Sequence, residues 1–573
     1  MKLTEEKLTR RPRKYFPEDV NINEWEKVEA VLNEALEAKI ESSEELLQLM
    51  EKYDEYSTII GQKMAQMYIN MTCYADNEEY RKEFNDYYSN IIAKIQPYGF
   101  KISKKFYESP HMAELDDKEY GHMKQIIANG IELFREKNVP LSTKEVELKN
   151  RYGEIVGALT VEYEGEEYTL AQLSKYLLES DRNVREKVWR LRLDRIQKEQ
   201  EKLDKLYDEL LELRVQQAKN ADFENYRDYK HQAMGRFSYT PEDLYQFHNA
   251  VEKVVIPFLR EQTEKRRKKL GIESVRPWDT AVDLDGIILK PFENVDELVQ
   301  KGIKVLHSVD PEFGINLTKM YNTGLLDLEN RKGKAPGGYN YPLRELGSSF
   351  IFMNAVGLHG DMTTLLHEAG HAMHAAATKD IKISEYKGYP SEIAELASMA
   401  MEFLTMDYWN EYYPNAVDYK KGRKDQLFGA LSFLPWCMVV DAFQHWIYTN
   451  PNHTAKERSD YFAQLSERFN TGVNWEGLEA ARRASWMFQL HIFEVPFYYI
   501  EYGMAQLGAL LVYKNYREKG HKAIDDYKNF LALGYSKPVN ELYEAAGIEF
   551  SFTEEHLQSL VDFVRQELEE LED

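Results

Sequence analysis

"LLHEAGHAMHAA" (Leu365–Ala376) and "PSEIAELASMAMEFL" (Pro390–Leu404) decide how this chain is read. Each sets apolar and small residues at the three- and four-residue spacing of a helix. In the first, His367 and His371 stand four apart, so one helical turn brings both imidazoles to the same side, within reach of one ion. Glu368 is rotated about 100° from His367 around the axis, where its carboxylate can touch a water on that ion without coordinating it. A metzincin continuation requires glycine and a third histidine where this chain has His374 and Ala377, so that route to a third ligand fails. The second segment offers another. Glu395 lies among Ile393, Ala394, Leu396, Ala397, Met399 and Ala400, surroundings in which an ionised group is costly unless paired or bound to metal. Glu392, Glu395 and Glu402 fall on neighbouring turns of one side, so the helix can also supply an outer acceptor for a ligand histidine. Ala369, Gly370, Ala372 and Ala375 suit two helices pressed close together.

The rest of the composition sets bounds. Hydrophobic residues make up 43% of 573 positions, ample for a large core, and a 13% aromatic content argues against disorder. The formal net charge of −24 repels nucleic acid and anionic lipid. Cys73 and Cys437 are distant and in no CxxC context, which excludes a disulfide scaffold and a thiolate zinc site. "MKLTEEKLTRRPRKYF" carries no apolar core behind its charges, and no window approaches 18 uninterrupted apolar residues. The expectation is a cytoplasmic protein with neither nucleic-acid nor membrane partners.

Helical periodicity dominates the chain. Asn23 is placed as the cap of "NEWEKVEAVLNEALEA", and Ser42 with Glu45 opens the next helix as a capping box. "ALTVEYEGEEYTL" alternates around Glu164-Gly165 and reads as a hairpin. One long helix is expected from Ser180 to Ala218, with Val188, Leu191, Leu203, Leu210 and Leu213 on its apolar side. Thr240 and Pro241 start another. "SSFIFMNAV" is a β run, placed either at an exposed sheet edge that pairs with extended peptide or inside a small sheet. "GKAPGGY" beside it reads as a mobile loop. His359 and His374 are assigned packing or hydrogen-bonding roles. The expected division is an N-terminal helical region, 1–178, and a larger catalytic region, 179–573.

"GDMTTLLHEAGHAMH" followed by "YPSEIAELASMAMEF" resembles the thimet oligopeptidase family of zinc peptidases, in its oligoendopeptidase F branch. "RKGKAPGGYNYP", "FIFMN" and "QLHIFEVPFYYIEYGMAQLGAL" look like the same branch, so the resemblance runs from Arg331 to Leu510. It implies a mainly α fold, a helical peptidase body with a deep enclosed cleft and a small β-sheet beside the HExxH helix. It implies one Zn²⁺ per chain on His367, His371 and Glu395, with Glu368 as general base toward the attacking water, and short peptides as substrates. His491, Tyr498, Tyr499 and Tyr502 match the segment whose histidine and tyrosines stabilise the oxyanion. Here Glu494-Val495-Pro496 replaces the glycine-rich loop of the thimet branch, which leaves the choice among the three tyrosines open. A metallocarboxypeptidase or dipeptidase on a similar scaffold, and a non-catalytic peptide binder with a structural metal, are the alternatives. Glu368 argues against the binder, because a purely structural site has no use for a base there.

Overall fold

The computed structural model describes residues 10–18 and 20–572. The fold is 70% helical with only small sheets, the mainly α class expected. The chain forms two compact units, each assembled from three separated stretches: Met1–Glu132, Leu289–Arg423 and Gly508–Phe550 in the first, and Leu133–Ile288, Lys424–Leu507 and Ser551–Asp573 in the second.

The first unit contains both decisive helices. The motif helix, His359–Ala377, begins where the Asp361 carboxylate accepts from the Val356 and Leu358 N–H groups, at 2.8 and 2.9 Å. It buries Met362, Leu365, Leu366, Ala369, Ala372 and Met373, the 3.6-period face legible in the sequence. The carboxylate helix, Ser391–Leu404, buries nearly everything it carries, Glu392 and Glu395 included. The two pack so closely that a Cβ on Gly370 would lie 2.6 Å from the Ala397 carbonyl oxygen and from Ser398 Cα. Behind them the His521–Leu533 helix sends the Tyr527 hydroxyl to the Ala397 carbonyl, at 2.6 Å.

In the second unit, β1 (Thr160–Tyr163) and β2 (Glu166–Thr169) form the expected hairpin. Glu164 and Gly165 both have positive φ, +55° and +85°, the turn whose twist matches that of the strands. Back in the first unit, β3 (Leu326–Glu329), β4 (Tyr339–Leu343) and β5 (Ser348–Ala355) form a sheet in the order β3-β5-β4 that packs on the motif helix. β5 runs parallel to β3 and antiparallel to β4. The "SSFIFMNAV" run is therefore the central strand, buried along almost its whole length, and its backbone is occupied on both sides. The edges are β3 and β4, and β4 accommodates Pro342.

Two other expectations change. The long helix is two helices, Arg182–Gln197 and Gln200–Asn220. Between Ile196 and Leu203 the sequence offers no apolar side chain, so nothing binds the ladder to the core at Lys198 and Glu199. The glycine loop is tied down along its first half. Gly333 O accepts from Ala75 N–H at 2.7 Å, Ala335 N–H donates to Thr72 O at 2.8 Å, and the fully buried Lys334 ammonium donates to the Asp327 carboxylate at 2.8 Å. Asn354 donates to the Ala335 and Gly337 carbonyls, at 2.9 Å each. By length and composition, Ala416–Thr449 is apolar enough to cross a membrane, yet 67% of its most apolar window is buried in the fold, as in a core helix.

Candidate active site

His367, His371 and Glu395 meet between the motif and carboxylate helices, with one donor atom of each within 4.8 Å of the others. Among the described residues, no other group of three His, Cys, Asp or Glu side chains converges in this way. Glu395 Oε2 lies 3.2 Å from His367 Nε2 and 3.7 Å from His371 Nε2, and the two rings stand nearly perpendicular, at 85°. On its other side His367 donates from Nδ1 to Glu402 Oε1 at 2.6 Å. With the proton held at Nδ1, the Nε2 lone pair of the neutral imidazole is directed at the convergence point. Glu402 stands seven residues, two helical turns, after Glu395, so one helix sets both the inner carboxylate and the outer acceptor.

Glu368 is 7% exposed, and its Oε2 is buried without a hydrogen-bond partner among the described residues. Burial, reinforced by Glu395 and Glu402 and opposed by His367, lifts its carboxyl to about 7. Burial opposes charge on His367, but hydrogen bonds to Glu395 and Glu402 outweigh it and hold the imidazolium well above its ordinary range. Burial alone would raise Glu395; the two histidines and Ser398 bring it down to about 2. His371 is pushed down to about 4 by burial. The donor set fits a zinc-type ion: two imidazole nitrogens and one carboxylate oxygen converge, and an uncommitted carboxylate oxygen stands beside them.

Two supporting side chains escaped the sequence reading. Ser398 donates to Glu395 Oε2 at 3.1 Å, and its position one turn after Glu395 could have signalled it. Asn340 of β4 donates to the Glu368 carbonyl at 3.2 Å, a contact across 28 residues that no local pattern announces. His374 stands apart from the trio, fully buried and stacked on Tyr389 with ring centroids 3.7 Å apart. His359 pairs through Nδ1 with the Tyr413 hydroxyl at 2.7 Å.

His491, Tyr498, Tyr499 and Tyr502 gather in the second unit. The His491 ring centroid lies 6.2, 4.8 and 6.0 Å from those of the three tyrosines in that order. The backbone that carries them is irregular, and side chains from elsewhere in the unit hold it. Met487 O accepts from Tyr152, Ile492 O and Phe493 O from the fully buried Arg214, Phe497 O from Arg236, and Tyr499 O from Cys437. Arg214 is paired with Glu145 at 2.9 Å, and Arg236 with Glu501 at 2.9 Å. Just after Glu494-Val495-Pro496, Phe497 has φ +65°, a left-handed conformation that costs a non-glycine residue roughly 1–2 kcal/mol. The Gln444 amide oxygen accepts its N–H at 2.9 Å, and the arginine takes its carbonyl.

Two close-packed helices carrying two imidazoles, a carboxylate and a free buried glutamate form the HExxH arrangement found in metal-dependent hydrolases. The model of peptidase family M3 matches residues 176–562, and that of the M3 N-terminal domain matches residues 18–134. This chain belongs to peptidase family M3, on the oligoendopeptidase F branch that its motifs resemble. It is 23% identical to the oligoendopeptidase F homolog of Lactococcus lactis subsp. lactis (strain IL1403), over 93% of this chain and 90% of that protein. Pz peptidase A, solved with inhibitor 2, superimposes with a TM-score of 0.87 at 28% identity, covering 97% of this chain and 98% of that one. A Bacillus anthracis str. Ames structure provisionally assigned as an oligoendopeptidase F gives 0.83 at 26% identity, covering 98% and 99%.

Proposed function

We propose that this chain is a zinc-dependent endopeptidase that cleaves internal bonds of short oligopeptides, with Glu368 as its general base. The observation that carries the reading is the convergence of His367, His371 and Glu395 beside the unpartnered buried oxygen of Glu368. When bound there, Zn²⁺ would supply Lewis-acid activation of a water and of the scissile carbonyl. Glu368 takes the proton that the attacking water loses and returns it to the departing amine. Burial raises the Glu368 carboxyl in the metal-free fold, which favours a carboxylate that takes up a proton readily. Glu402 keeps the His367 proton on Nδ1 and so fixes the ring's orientation. His491 and one or two of Tyr498, Tyr499 and Tyr502 act as hydrogen-bond donors to the oxyanion, a role supported by their match to the family segment. The oligoendopeptidase names of the relatives support short peptides as substrates.

The test combines metal analysis with product mapping on N- and C-blocked quenched peptides, with and without chelator. One Zn²⁺ per chain, internal cleavage and loss of activity on chelation are expected; a requirement for a free terminus would reject the endopeptidase. Glu368→Gln should keep the metal and lose turnover by at least about a hundredfold, within the range for removing a general base. Turnover at the wild-type rate in that variant would end the mechanism.

A further inference from the structure

His491 belongs to a short relay of side chains. Trp436 Nε1 donates to Gln489 Oε1 at 2.8 Å, and Gln489 Nε2 lies 2.6 Å from His491 Nδ1. An indole nitrogen only donates, so it fixes which end of the Gln489 amide is oxygen. The other end is then the NH₂ group, which also only donates. The imidazole nitrogen facing it must accept, which is possible only if Nδ1 carries no proton. In the neutral ring the proton therefore sits on Nε2. Burial holds His491 down at about 4, so the ring is neutral near pH 7. Among the described residues no hydrogen-bond partner takes Nε2, while Tyr498, Tyr499 and Tyr502 surround the ring.

We propose that Trp436 and Gln489 are positioning residues that lock His491 in the tautomer protonated at Nε2, so that a neutral imidazole presents one N–H donor to the substrate's developing oxyanion. The inference rests on the donor role proposed above for His491. The lock removes two competing states: the Nδ1–H tautomer, whose Nε2 lone pair would repel an oxyanion, and the imidazolium, whose charge would depend on pH.

The experiment uses metal-loaded enzyme labelled with ¹⁵N-histidine, with the His491 resonances assigned by their disappearance in His491→Gln. In the wild type, Nε2 should be protonated and Nδ1 bare from pH 6 to 9. Gln489→Glu is nearly isosteric but places an acceptor against Nδ1. A carboxylate there draws a proton to Nδ1, so as the imidazolium deprotonates with rising pH the Nε2 proton is the one lost. Relative to wild type, its kcat should fall tenfold or more between pH 6 and 9, with KM within about twofold and the ¹⁵N spectrum moving to the Nδ1–H tautomer. Trp436→Phe, which frees the amide to flip, should give a mixed tautomer and a smaller loss of kcat. A wild-type spectrum with the proton on Nδ1 overturns the proposal alone, as does wild-type kcat in Gln489→Glu once its spectrum shows Nδ1–H. Unchanged kcat in His491→Phe, which has no donor, removes the donor role and takes this proposal with it.

Discussion

Glu368 shows how much one side chain costs the fold that carries it. Its carboxyl titrates near 4.5 in an unfolded chain and near 7 in the metal-free fold. A raised carboxyl pKa means that the charged form is the disfavoured one. Below about pH 4.5 the group is neutral in both states and costs nothing; the cost grows between 4.5 and 7 and is complete above 7. At 1.36 kcal/mol per unit it reaches about 3–4 kcal/mol. Metal-free Glu368→Gln should therefore be more stable than metal-free wild type by that order at pH 8, and the two should converge near pH 4 in denaturant titrations. Equal stability at pH 8 would mean that the carboxylate is not desolvated. His367 leads to a second expectation. Glu395 and Glu402 keep it protonated in the metal-free site, whereas a ligand imidazole must be neutral. Zinc binding at pH 7 should release at least one proton, from His367 and in part from Glu368, measured by calorimetry in buffers of different ionisation enthalpy, and Glu402→Gln should lower the release. At this scale the sequence was informative where the partners share a helix: His367 with His371, and Glu395 with Glu402. Asn340 and Gln489 were illegible because their roles depend on which atom faces which across unrelated elements.

Between elements, the distance separating the motif and carboxylate helices is set by the absence of one methyl group. A Cβ at residue 370 would meet backbone atoms at 2.6 Å, which cannot rotate away, so Gly370→Ala must push the helices apart. Overpacking of this kind costs about 1–3 kcal/mol. The larger effect should fall on the site, because Glu395 reaches the histidines from the helix being displaced. Gly370→Ala should fold, lose some thermal stability and bind zinc at least about tenfold more weakly; wild-type zinc affinity would show that the site tolerates the separation. The small residues of the motif announced this contact. The sequence was less informative wherever two packings satisfy the same pattern. "SSFIFMNAV" fits either an exposed edge strand that pairs with extended peptide or a strand buried in a small sheet, and only its pairing with both β3 and β4 decides between them. The glycine loop reads as mobile by composition, but a buried lysine and two hydrogen bonds to the end of the Ser43–Cys73 helix restrain it.

For the molecule as a whole, an ion bound by the folded state alone raises stability by mass action, by about 4 kcal/mol at a thousandfold excess over Kd. Zinc should therefore raise the Tm of the chelator-treated protein in a concentration-dependent way, and Glu395→Ala should abolish that shift. A full zinc-induced shift in Glu395→Ala would remove the residue from the ligand set. Helical class was plain from periodicity over most of the chain. The grouping of six stretches into two units was not, because amphipathic stripes state that a helix has a buried face but not which distant stripe covers it.

That grouping bears on how the protein is made. The motif and carboxylate helices leave the ribosome well before the His521–Leu533 helix, whose Tyr527 grips the Ala397 carbonyl. About 120 residues separate them, roughly 6–24 s of synthesis at about 5–20 residues per second. During that interval the motif and carboxylate helices lack the Tyr527 contact while the middle stretch of the second unit is being added. A nascent chain arrested before Gly508 should hold the zinc ligands in sequence without holding the ion tightly, and it should be the stage at which chaperones are most engaged.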